Sequence, residues 1–146
     1  MGGLMIEKAL SIRAPWWWFI LYGGKDIENR GPSFPRSRRE VVWVHVGKWW
    51  RPTEVWEDLV DARAMQEAAG YRGPLVPDDW RGLERFCGCI VGSIQIMDYV
   101  TSSDSPWFVG DVGLVLRNPV PLHQPVPFKG MLGFFDVPAG LIGEAA

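Results

Sequence analysis

Seven apolar and aromatic residues run from Trp16 to Tyr22, stop at Gly23-Gly24, and give way at once to Lys25-Asp26-Ile27-Glu28-Asn29-Arg30. This junction constrains the fold more than any other stretch. Paired glycines terminate a helix, and the charged residues beyond them read as a short extended segment. In such a segment, side chains two apart share a face. Asp26, Glu28 and Arg30 are then expected on one side and Lys25, Ile27 and Asn29 on the other. A carboxylate and a guanidinium on one strand face, beside glycines that admit a ligand to the backbone, have the makings of a site. A surface turn whose charges pair only with each other is the alternative.

The chain of 146 residues is long enough for one domain with a real core. No repeat or low-complexity linker divides it, so residues 1–146 are expected to be one domain, its core about 8–138 and a helical insertion about 53–86. Nine Trp are more than packing alone demands, which leaves rings for a binding surface. A net charge of −2 argues against a protein that coats nucleic acid nonspecifically. The charge is segregated, however. Residues 25–52 hold seven Lys/Arg against three acids, whereas residues 53–84 hold three Arg against eight acids. The basic stretch is the one that contains the Lys25–Arg30 motif.

Cys87 and Cys89 are too close in sequence for an ordinary disulfide between residues on one strand face and read as reduced, structural thiols. With only His45 and His123 elsewhere, no metal-ligand spacing appears, and no phosphate loop or dinucleotide fingerprint is present. No metal or cofactor is therefore expected. No apolar run reaches the roughly 20 residues of a membrane span and no signal peptide is evident, so a cytoplasmic protein with no membrane partner is expected.

Ala9 to Arg13 reads as a first strand, and Pro15 as the opening residue of the Trp-rich helix. Arg36-Ser37-Arg38-Arg39 forms a basic loop before a nearly continuous apolar strand over 40–46. Thr53 is the expected N-cap of an acidic helix whose buried face is Val55, Trp56, Leu59, Ala62 and Gln66, with Gly70 as its stop. A short helix is expected over Pro77 to Arg85, and strands over 88–100, 112–118 and 132–137. Gly92 marks a bulge or a close backbone approach. Pro119, Pro121, Pro125 and Pro127 predict an extended connection. Five or six short strands with interposed helices define an α+β fold on a curled, barrel-like sheet.

Leu10-Ser11-Ile12-Arg13-Ala14-Pro15-Trp16, then Gly23 through Arg30, then Val44-His45-Val46-Gly47-Lys48 together resemble the activating-signal-cointegrator homology (ASCH) domains. Gly88 to Gly92, Ser105-Pro106-Trp107-Phe108 and Pro127-Phe128-Lys129-Gly130 look like the remainder of that type. The resemblance covers about residues 8 to 138. It implies a PUA-like curled β-barrel of five to six strands with flanking helices and a cleft for RNA or a nucleotide-derived small molecule. One bacterial group similar to this family hydrolyses N4-acylated cytidines with a lysine, a threonine and a glutamate, and a ribonuclease activity has been associated with a family member. Lys25 corresponds to that lysine. The threonine position holds Glu28, and Thr101 to Pro106, where the glutamate belongs, contains none.

Lys25 and Glu28 are the candidate reactive pair: burial lowers an ammonium pKa toward a neutral amine, although nearby carboxylates oppose this. Arg13, Trp16, Arg30, His45, Lys48 and Lys129 are the candidate ligand contacts. Arg30 or Lys48 suits a phosphate, and Trp16 or Trp49 suits a base. His45, in an apolar strand, reads as a satisfied barrel residue ahead of a general base. Ser11 lacks the turn and the base of a nucleophile. Three functions follow: a binding module for RNA or a modified nucleoside; a small hydrolase acting on an acylated nucleoside or RNA; and a protein-interaction domain using exposed Trp and the proline-rich segment 119–127.

Overall fold

A computed structural model describes residues 5–48 and 51–142. The elements run β1 (Lys8–Ile12), α1 (Trp16–Tyr22), β2 (Ile27–Arg30), β3 (Val41–Val46), α2 (Pro52–Ala68), a 3-10 helix (Trp80–Phe86), β4 (Cys89–Val100), β5 (Val112–Pro127) and β6 (Phe134–Asp136). All six strands join one mixed sheet in the order β2-β5-β4-β3-β1-β6. Only β1 and β3 pair in parallel; the other neighbours are antiparallel. The expected α+β fold on a curled sheet with flanking helices is therefore present.

The curl originates in β4 and β5. Their ladder slips register at Ile90/Gly92, Ser93/Gln95 and Ile96/Asp98, and a slip of this kind bends a strand and sharpens its twist. Gly92 lies at the first slip, where a Cβ would stand 2.7 Å from the Val120 carbonyl oxygen and 2.9 Å from a Leu21 methyl. The curl brings the two ends of the sheet together. Arg30, on the edge strand β2, donates through Nη2 to the Ser11 carbonyl of β1 at 2.8 Å, and Phe34 packs on Phe134 of the opposite edge at 5.4 Å. Among the described residues, side-chain contacts rather than a backbone ladder join this seam.

Alternation along β1 and β3 sorts the core onto two faces. Leu10, Ile12, Val42, Val44 and Val46 face a large cluster that includes α1, α2 and Trp107, whereas Ala9 and Trp43 face a smaller cluster with Ile90 and Phe135. α1 is buried along five consecutive residues, Trp17 to Leu21, as a helix apolar on all sides must be.

Several local expectations are corrected. Pro15 precedes α1 as its N-cap, joined to Ala14 by a cis peptide bond. Thr53 is not the cap of α2: Arg51 is, and Pro52 takes the first helical position, where a missing N–H is harmless. Val55, Leu59, Ala62 and Gln66 are buried as expected, but Trp56 is 46% exposed. The segment expected to be helical over Pro77–Arg85 is the 3-10 helix Trp80–Phe86. The proline-rich segment is strand: Pro121 pairs with Gly92 and Pro127 with Cys89. The β2 ladder accompanies β5 as far as Val115, with one further bond from the Leu116 N–H to the Asp26 carbonyl, so beyond Leu116 β5 is an edge strand, where a missing donor leaves no ladder bond unmade. Gly70 does end the helical segment, at φ +68. Cys89 is a buried thiol, and burial raises its pKa. Among the described residues no helix is long and apolar enough to cross a membrane.

Candidate functional site

The junction read from the sequence builds a charged cluster at the seam of the sheet. Gly23 caps α1 by donating to the Phe19 carbonyl at 2.9 Å, and the Lys25 N–H donates to the same oxygen at 3.0 Å. Gly24, at φ +80, makes the turn between them. This turn folds Lys25 beneath α1 before β2 begins. Its side chain is 2% exposed, with the ammonium 5.4 Å from the centroid of the Trp16 ring and 5.8 Å from that of Trp107.

Lys25 therefore does not oppose Glu28 across a strand, as simple alternation predicted. It lies outside β2, and its Nζ reaches back to donate to the Ile27 carbonyl and to Glu28 Oε1 at 3.5 Å. Glu28 and Arg30 share a face as expected. Arg30 Nε and Nη2 lie 3.1 and 2.9 Å from Glu28 Oε2, and Nη2 also bonds the Ser11 carbonyl. The guanidinium carbon stands 5.0 Å from the Phe34 ring centroid. Asp26 leaves this group: it accepts from Ser105 Oγ at 2.6 Å. Asn29 turns to the 107–109 loop, donating to the Trp107 carbonyl and accepting from the Val109 N–H.

The result is a linear array, Lys25–Glu28–Arg30–Ser11 carbonyl. One carboxylate serves two cations, with an indole at one end and a phenyl ring at the other. Burial pushes the Lys25 ammonium below the ordinary 10.5, and this outweighs the attraction of Glu28 that acts in the opposite direction. Arg30 (side chain 19% exposed) meets solvent, as do the half-buried rings Trp16 and Phe34 at the two ends.

The other candidates lie apart. Arg13 turns to α2 and pairs with Asp58 at 2.8 Å. His45 is buried on the opposite sheet face, edge-on to Phe135, with its ring Nε2 donating to the Phe128 carbonyl at 2.7 Å. Burial holds its pKa below 6.5, and the carbonyl bond only partly offsets that. Only Nε2 is partnered among the described residues: Nδ1 is buried with no hydrogen-bond partner, so the ring is not the fully satisfied barrel residue expected. Lys48 and Lys129 are exposed in the segments that follow β3 and β5. Trp49 lies outside the described residues.

Sequence reasoning missed three contributors: the Ser11 backbone carbonyl, Phe34 and Trp107. A backbone acceptor has no sequence signature. Trp107 belongs to the Ser105–Phe108 motif, which carried the signal without a role. Compared with known proteins, the chain matches no family model and no curated protein.

Proposed function

We propose that the chain is an ASCH-type binding module for RNA or a modified nucleoside, which receives its ligand at the seam beside Arg30 and Trp16. The observation that carries this reading is the seam array itself. A guanidinium oriented by Glu28 and the Ser11 carbonyl stands in one small cluster with an indole packed on a buried ammonium. With Nε and Nη2 engaged by Glu28 and the Ser11 carbonyl, Nη1 is the donor left for a phosphate oxygen or the carbonyl edge of a base, and it is held in a fixed plane. The accessible part of Trp16 suits stacking, which contributes about 1–3 kcal/mol per base where it occurs. Lys25 is too enclosed for first contact, and in this reading it sets the position of Glu28.

Calorimetric titration of wild type, Arg30→Lys and Trp16→Ala with N4-acetylcytidine, cytidine and a short single-stranded RNA tests the proposal. Both variants weaken binding, and the salt dependence of RNA binding stays that of wild type, because neither substitution changes the charge. Affinity unchanged in both variants, with the fold intact by circular dichroism, removes the proposal.

One observation favours a second reading, hydrolysis of an acylated nucleoside: the lowered pKa of Lys25 beside a carboxylate. In this reading a neutral Lys25 amine, oriented by Glu28, takes a proton from water as its oxygen attacks the acyl carbonyl, and the ammonium so formed returns that proton to N4 as the C–N bond breaks, releasing the carboxylic acid and cytidine. Release of cytidine from N4-acetylcytidine by wild type and its loss in Lys25→Met support this reading. Turnover that survives in Lys25→Met excludes it.

A further inference from the structure

A cleft of ≈ 610 Å³ opens between the first turns of α2 and the 3-10 helix, away from the seam. Trp56 and Trp80 form its aromatic wall, with ring centroids 6.0 Å apart at an interplanar angle of 34°. Glu57, Asp78 and Asp79 line it as well, and the cation among its lining residues is Arg81. Arg81 places its guanidinium carbon 5.3 Å from the Trp80 centroid, so this wall already holds one stacked guanidinium. Trp56 is 46% exposed, and among the described residues no cation of this chain lies over its ring.

We infer that this cleft is a docking site for an arginine side chain presented by a basic segment of a partner protein. Indole faces attract cations through the ring quadrupole, and a guanidinium adds planar stacking that an ammonium lacks. The carboxylates supply charge complementarity, and residues 53–84 as a whole carry eight acids against three Arg. The acids of the first turns of α2 also favour the helix dipole, which accounts for Glu54 and Glu57 but not for an exposed indole packed at a tilt against a second one. A large aromatic face left open inside an acidic cleft is the feature that packing leaves unexplained.

The test is a titration of ¹⁵N-labelled protein with the capped peptide Gly-Arg-Gly-Arg-Gly-Arg, read at the tryptophan indole N–H signals. The same peptide with citrulline in place of arginine, isosteric but uncharged, is the control. The arginine peptide should shift the Trp56 and Trp80 signals saturably, the citrulline peptide should not, and Trp56→Ala should weaken binding roughly tenfold. Trp56 is solvent-facing, so its replacement leaves the core intact. No saturable shift, equal response to citrulline, or undiminished affinity in Trp56→Ala overturns the inference. So does a Trp56 shift that depends on protein concentration alone, which would assign the cleft to a second copy of this chain.

Discussion

Replacing Lys25 by Met probes the most unusual energetic feature of the seam, a lysine buried beneath two indoles. The substitution nearly conserves volume, so the cavity contribution is small. Two interactions are lost. The Ile27 carbonyl loses its donor, which costs about 1–3 kcal/mol if the oxygen stays buried. Glu28 loses one of two cations but keeps Arg30 at 2.9 Å, so the loss falls below the roughly 3–5 kcal/mol of a buried charge left alone. Against these stands relief from burying an ammonium, which is what lowers the Lys25 pKa. The net expectation at pH 7 is a destabilisation of about 1–3 kcal/mol.

The pH dependence is the sharper test. A lysine whose folded-state pKa lies below the unfolded 10.5 binds fewer protons folded than unfolded between those two values. Wild-type stability from this group therefore rises with pH across that window and is complete above 10.5. Cys89 and the tyrosines Tyr22, Tyr71 and Tyr99, all raised by burial, act in the opposite direction at high pH, but they are common to both proteins. The difference between wild type and Lys25→Met isolates the lysine. Urea unfolding from pH 7 to pH 10 should show that difference widening as pH rises. A constant or shrinking difference would mean that Glu28 stabilises the ammonium more than burial penalises it, and would refute the reasoning.

Other consequences are more local. Arg30→Ala removes the staple from β2 to β1 and should cost about 2 kcal/mol, with faster amide exchange in β2 than in α2; uniform protection would deny it a role in closing the seam. Gly92→Ala forces a Cβ against the Val120 carbonyl and a Leu21 methyl and should lower stability by about 1–3 kcal/mol in urea unfolding. Gly70→Ala meets no atom within 4 Å and costs only its positive φ, about 1–2 kcal/mol; Gly70→Asn should recover part of that in the same assay. Gln66 donates from α2 to the Gly23 carbonyl at 3.0 Å, so Gln66→Ala strands a buried acceptor and should lower the thermal midpoint by several degrees for a loss of about 1–2 kcal/mol.

The glycine stops, the apolar β3 and the close approach at Gly92 were legible because each has a steric or periodic signature in the sequence. The proline-rich strand was not. Prolines argue against a ladder unless the strand is an edge, and edges are decided by where β2 ends. Trp56 fell on the predicted face of α2 because apolar spacing cannot tell a core ring from one lining a cleft. At the site, Glu28 and Arg30 followed from alternation. Lys25 joined them because the Gly24 turn placed it outside the strand, where period-two reasoning no longer applies. The seam partners Ser11 and Phe34 were invisible, since they meet Arg30 and Phe134 only after the whole sheet has curled.

The central claim, a ligand received beside Arg30 and Trp16, is tested most directly by mapping indole and arginine Nε signals while N4-acetylcytidine or short single-stranded RNA is added. The account predicts saturable shifts at the Trp16 indole and Arg30 Nε in wild type, with the Arg30 Nε shift lost in Trp16→Ala. Saturable shifts confined to other tryptophans, or none at millimolar nucleoside and RNA, would contradict it.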